Sequence, residues 1–114
     1  MAIVIDKMRD CPVSYAIGMV QGKWVPRILW HLRGQPSTFG NICRATGASE
    51  AVTARNLQAM TRAGLIKRTP KSRGEVRLVE YSYDALGLSL IPVLDALGQW
   101  GLDNMNATQK EAAQ

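Results

Sequence analysis

The sequence predicts a mainly α fold with one small antiparallel β-hairpin, an α+β domain of winged helix-turn-helix type. Three observations lead there. Between Thr38 and Ala63, two helix-like stretches are separated by the tight turn Thr46-Gly47-Ala48. A strand, a Gly-containing basic loop and a second strand follow directly, with Val76 to Tyr83 in alternating register. Eleven of the 14 Lys and Arg residues fall between Lys23 and Arg77. Only Glu50 and Glu75 oppose them, so this segment carries +9 and the flanks together −4. Positive charge therefore coincides with the helix-turn-helix and hairpin, the pattern expected for phosphate contact.

The elements follow in order. Residues 1–11 read as an irregular arm. Pro12 suits a first helical turn, where a missing N–H costs nothing. A helix is predicted over 12–20, with Val13, Ala16, Ile17 and Val20 at helical spacing, and Gln21-Gly22 ends it. A second helix over 24–32 buries Trp24, Ile28 and Leu32. Ser37 or Thr38 caps a third helix over 39–45, whose apolar face is Phe39, Ile42 and Cys43. Ser49 caps the fourth, over 50–63, and Gly64 takes the left-handed position that ends it. Strands are predicted at 65–69 and 76–83, around a turn at 70–74. Val79, Tyr81 and Tyr83 form the expected buried face of the second strand. A last helix starts near Asp84 and runs to about 105, leaving a polar tail at 106–114. The whole chain of 114 residues reads as one domain.

Composition narrows the class. Hydrophobic residues at 46% call for a packed core rather than disorder. No apolar run approaches the roughly 18 residues that span a bilayer, and the N-terminus lacks a basic n-region before its short apolar stretch. The expectation is a cytoplasmic protein without a membrane segment. Cys11 and Cys43 lie 32 positions apart, and the one histidine, His31, has no ligand-spaced neighbours. Neither a metal site nor a cofactor is expected. One histidine, no phosphate-binding Gly loop and no carboxylate pair argue against an enzyme.

On the fourth helix, Thr53, Leu57, Met60 and Gly64 fall on one side, the side that packs on the domain. Ala51, Arg55, Gln58 and Arg62 fall opposite. Arg and Gln side chains can contact guanine and adenine edges in a bidentate manner. Ala51 would let the backbone approach the groove. Arg55 is the first candidate for base contact and Gln58 the second. Arg62 lies further along, where phosphate is the better partner, and Ser49 can donate to phosphate from the helix N-terminus. The alternative is a merely solvated face; the adjoining turn and hairpin favour double-stranded DNA. Lys71, Arg73 and Arg77 on the hairpin are the matching candidates for phosphate or minor-groove contact.

Leu86, Leu90, Val93, Leu97 and Trp100 recur along the last helix at steps of four and three. This seam can pack on the protein's own first helices or on a two-fold partner, and both roles are expected. Pro92 lies within it and should kink the helix or locally remove a hydrogen bond.

These blocks together resemble the HxlR family of bacterial and archaeal winged-helix regulators, distant relatives of the MarR group. The resemblance runs from Cys11 to about Gly101. It is carried by Cys11-Pro12-Val13, Gly22-Lys23-Trp24, Ile28 to Leu32, Phe39-Gly40, Gly64 to Arg68, Val79-Glu80-Tyr81 and Leu86-Gly87 through Pro92 to Trp100-Gly101. It implies a homodimer built from N- and C-terminal helices, bound to an inverted-repeat operator. It also maps the family cysteine, which senses oxidants or electrophiles in some members, onto Cys11. Lys7 and Arg9 would favour a Cys11 thiolate and Asp10 opposes it. The competing reading is a small residue packed at a dimer interface, and Cys43 reads as core. A small-molecule effector pocket at the dimer helices, lined by Trp24, Trp30 or Trp100, is a third expectation. The chain departs from the family in its wing, where Lys71-Ser72-Arg73-Gly74-Glu75 replaces the usual proline-rich turn, and in Ala51 and Arg55.

Overall fold

The computed structural model describes residues 11–113, with side chains through Met105. Of the expected arm over 1–11, residues 1–10 lie outside the described residues. The order is α1 (Pro12–Val20), α2 (Val25–Leu32), β1 (Ser37–Thr38), α3 (Phe39–Thr46), α4 (Glu50–Arg62), β2 (Ile66–Arg73), β3 (Val76–Tyr83) and α5 (Ala85–Ala113). Five helices surround a three-stranded antiparallel sheet of order β1-β3-β2, the winged helix-turn-helix that the pattern predicts.

The core lies where α2, α3 and α4 meet the base of the sheet and one face of α5. Ile28, Leu29 and Leu32 of α2 pack with Ile42, Leu57, Met60, Leu65, Ile66, Tyr83 and Leu94. Each fully buried aliphatic here contributes about 1.5–3 kcal/mol. Trp24, expected inside, is only half-buried at the N-cap of α2, with Lys23 and Arg27 over its ring.

The helix-turn-helix is fixed by local chemistry. Thr38 Oγ1 accepts the Asn41 N–H at 3.3 Å and starts α3. Gly47 leaves α3 at φ +80°, a conformation that side chains disfavour, and donates its N–H to Cys43. The Thr46 hydroxyl donates back to Ile42 and accepts from the Ala48 N–H. Ser49 Oγ accepts the Val52 N–H at 3.2 Å and opens α4. At the other end Gly64, also at φ +80°, donates to Thr61 while the Leu65 N–H reaches Met60, a Schellman closure.

Three expectations need correction. β2 does not stop at Thr69 but continues to Arg73, leaving Gly74 and Glu75 as a tight turn in place of a loop over 70–74. Pro70 suggested a turn, yet β2 is an edge strand, where a missing N–H removes no ladder bond. The segment that was expected only to cap α3 also forms β1: Ser37 pairs with Tyr81 and Thr38 with Glu80. Finally, α5 runs on through the expected polar tail to Ala113.

Over Ala85–Met105, α5 reaches a mean hydropathy of 1.3, long and apolar enough on those measures to cross a bilayer. That departs from the expectation, which considered unbroken apolar runs. The helix is tied to the domain by Leu94 in the core, with Leu90 and Ile91 packed against it, and also by polar and small residues. Asp95 pairs with Arg33, at the C-cap of α2, at 3.8 Å. Arg33 stacks 3.6 Å from the Trp30 ring centroid, and Trp30 lies against Gly98, where a Cβ would overlap the ring. A Cβ at Gly87 would overlap the Leu65 carbonyl.

Candidate nucleic-acid interface

Helix α4 divides as its periodicity requires. Thr53, Leu57 and Met60 are buried, while Ala51, Arg55, Gln58 and Arg62 all face solvent. From Arg55 to Arg62 is seven residues, about 10 Å along the axis and nearly the same face. Ser49 sits at the N-cap; its Oγ accepts from Val52, so its O–H remains able to donate outward.

The wing presents its cations on two faces. Ile66 is buried and pairs with buried Tyr83, which fixes the inward face of the sheet. Alternation from there puts Arg68, opposite Tyr81, and Arg77, opposite Ser72, on the face turned toward α4. Lys71 and Arg73 lie on the other face, with Leu78 and Val76 as partners. Lys71 is therefore on the strand rather than at the tip, which is Gly74-Glu75. The inward face is less closed than expected: Tyr83 is buried, but Val79 and Tyr81 are half-buried.

Arg68 was counted in the basic segment but not singled out. It lines a crevice of about 350 Å³ between α4 and the sheet, together with Gln58 and Arg62. Its position two residues after buried Ile66 is the signal that could have found it. Among the described residues the ion pair formed is Arg33–Asp95, so none of Arg55, Arg62, Arg68 or Arg77 is neutralised by a carboxylate there.

The expected interface seam stands away from the domain. Leu86, Val93, Leu97 and Trp100 are exposed, Trp100 at 65%, while Leu90 is half-buried. Helix α1 buries no residue at all. Val13, Ala16, Ile17 and Val20 of α1 face Leu90, Val93, Leu94 and Leu97 of α5 across an apolar groove of about 390 Å³. The three tryptophans do not converge: Trp24 lies under Lys23 and Arg27, Trp30 lies between Arg33 and Gly98, and Trp100 is open.

Cys11 is half-exposed at the N-cap of α1, and Cys43 is half-buried on α3; both are free thiols. The Cys11 side chain makes no formal cap bond. Even so, the Ser14 N–H, then the Ser14 hydroxyl and the Val13 N–H, hold its thiol below the ordinary value.

The family model described as HxlR-like helix-turn-helix matches residues 19–109. An uncharacterized HTH-type transcriptional regulator of Halalkalibacterium halodurans is 30% identical over 104 residues, covering 90% of this chain and 91% of its own. A second such regulator, of Methanothermobacter thermautotrophicus, is 34% identical over 101 residues, covering 84% and 76%. Among solved structures, the redox regulator HypR in its reduced form superposes with a TM-score of 0.78 at 21% identity, covering 88% of this chain and 99% of its own. At that identity the likeness shows the fold.

Proposed function

The chain belongs to the HxlR-like helix-turn-helix family and is a transcriptional regulator of that type; from this premise we propose that it acts as a homodimer that reads an inverted-repeat operator. The observation that carries the reading is the solvent face of α4, where Ala51, Arg55, Gln58 and Arg62 stand beside an unneutralised basic wing. With α4 in a major groove, Ala51 permits close approach, and Arg55 and Gln58 reach base edges. Arg62 and the Ser49 hydroxyl meet phosphate. Lys71, Arg73 and Arg77 hold the flanking backbone, which positions the protein without reading sequence. Such a target places the protein in the cytoplasm.

The dimer reading rests on α1 and α5. Their facing apolar residues leave a groove that the described residues do not fill. The Cα radius of gyration, 16.8 Å, exceeds the roughly 13 Å of a compact chain this long, as projecting elements require. A second copy would cover Val93, Leu97 and Trp100 and set two α4 helices at half-site spacing.

Selection of bound duplexes from a random DNA pool, with the protein reduced, tests the reading. An enriched inverted repeat is expected; absence of any DNA binding would remove it. Arg55→Ala should then relax preference at one base pair per half-site and cost about 1–3 kcal/mol.

A second reading is favoured by Cys11 alone. A half-exposed thiol with a depressed pKa, in a fold shared with the redox regulator HypR, suits an oxidant- or electrophile-responsive switch on the same DNA output. Unchanged oxidant-dependent release from DNA in Cys11→Ser would remove it.

A further inference from the structure

We propose that Arg68 and Arg62, on opposite walls of the crevice between α4 and the sheet, clamp a backbone phosphate diester of the bound DNA. The clamp rests on the DNA-binding reading above and deepens it. The crevice has an apolar floor, with Ala54 and Leu57 from α4 and Tyr81 from β3. Gln58, Thr61, Arg62 and Arg68 supply its polar lining. Two guanidiniums share this hollow with no acidic residue lining it, and neither pairs with a carboxylate among the described residues. Like charges converging on one cleft repel unless an anion enters between them. A planar guanidinium fork matches phosphate oxygens better than any other side chain.

The geometry selects which anion. If Arg55 reads base edges, Arg62 stands about 10 Å further along the same face of the helix. The major groove is about 12 Å wide, so that displacement carries Arg62 from the bases to the sugar-phosphate wall. Arg68 meets it there from the sheet, because β2 holds it opposite Tyr81 on the face turned to α4. One phosphate would thus be gripped by the helix and by the base of the wing together. Such a grip sets the depth and register of α4 without reading sequence.

The test uses the full chain as Arg68→Ala and Arg68→Lys, with the selected inverted repeat and a scrambled duplex as probes. Arg68 is exposed, so neither variant removes core packing. For a dimer, Arg68→Ala should flatten the log–log salt dependence by about 1.8, two contacts at about 0.9 each. Affinity should fall on the order of tenfold per half-site, alike on both duplexes. Arg68→Lys should recover the salt slope but only part of the affinity, since it keeps charge and loses the fork. A methylphosphonate at the clamped position should weaken wild type more than Arg68→Ala, which keeps only Arg62 on that phosphate. An unchanged slope in Arg68→Ala, or losses that add at every methylphosphonate position, would overturn the clamp while leaving DNA binding intact. If inorganic phosphate stabilises wild type but not Arg68→Ala, and the DNA slope is unchanged, the crevice holds a free anion and the clamp is wrong. Wild type that binds neither duplex would remove the regulator reading and the clamp with it.

Discussion

Replacing Tyr83 by Phe isolates the one buried phenol of the core. Tyr83 is 6% exposed, and its O–H donates to the Leu29 carbonyl, tying β3 to α2. At neutral pH the substitution removes one hydrogen bond and leaves that carbonyl without this donor, a loss of about 0.5–1.5 kcal/mol. The pH dependence is more specific. Burial pushes the Tyr83 pKa up from 10.0 to about 12, with Arg33 pulling it down and Asp95 adding to the rise. A raised folded pKa favours the neutral phenol in the fold. Its stabilising effect is therefore complete below pH 10 and is lost as pH climbs from 10 toward about 12, where the unfolded chain ionises first. At about 1.36 kcal/mol per pKa unit the ceiling is about 2.7 kcal/mol. The site is not sealed from solvent, and screening brings the expected loss to about 1–2 kcal/mol. Urea midpoints of wild type and Tyr83→Phe, followed from about pH 8 to about pH 11.5, report the difference directly. The wild-type advantage should shrink above pH 10. Parallel profiles for the two proteins would refute the argument.

Other changes have equally definite outcomes. Gly87→Ala should destabilise by about 1–3 kcal/mol in thermal unfolding, because the added Cβ meets the Leu65 backbone, which cannot swing aside. Gly101→Ala, with open space around it, should instead stabilise by up to about 1 kcal/mol; the opposite ranking would contradict the packing of α5. Thr53 is fully buried and its hydroxyl has no partner among the described residues, so Thr53→Val should be neutral or raise the midpoint, and a clear loss would point to an unseen bond. Leu97→Glu, at a position already 56% exposed, should leave the fold intact and convert a dimer to monomer in sedimentation; an unchanged assembly would move the interface elsewhere.

Elements bounded by local chemistry were legible in the sequence. Ser49 and Gly64 announced both ends of α4 because a cap and a left-handed glycine act on their immediate neighbours. The split of α4 into a buried face and the face of Arg55, Gln58 and Arg62 followed from periodicity alone. What the sequence hid depends on distant partners. Pro70 looks like a turn until β2 is known to be an edge. Ser37 and Thr38 are too short a run to read as a strand, and only β3 makes them one. Arg68 lies within the familiar Gly64–Arg68 block, but its value comes from Arg62 across a crevice that no local pattern describes. The seam on α5 was visible as spacing; whether the described residues cover it was decided by the placement of α1, which leaves Val93, Leu97 and Trp100 open.

Two residues of β1 carry a consequence for control. Ser37 shares a 2.9 Å hydrogen bond with His31 of α2 and pairs with Tyr81, while Thr38 pairs with Glu80 and caps α3. The loop that enters the helix-turn-helix is thus also the third rail of the wing. Folding the hairpin back would unseat the start of α3, so wing and helix-turn-helix tilt as one block. An input that weakens DNA binding then has little to gain from bending a single copy. In the proposed dimer the adjustable quantity is the span between two such blocks, measured against the pitch of the duplex, and a change of a few ångströms at the α1–α5 junction would put both copies out of step at once.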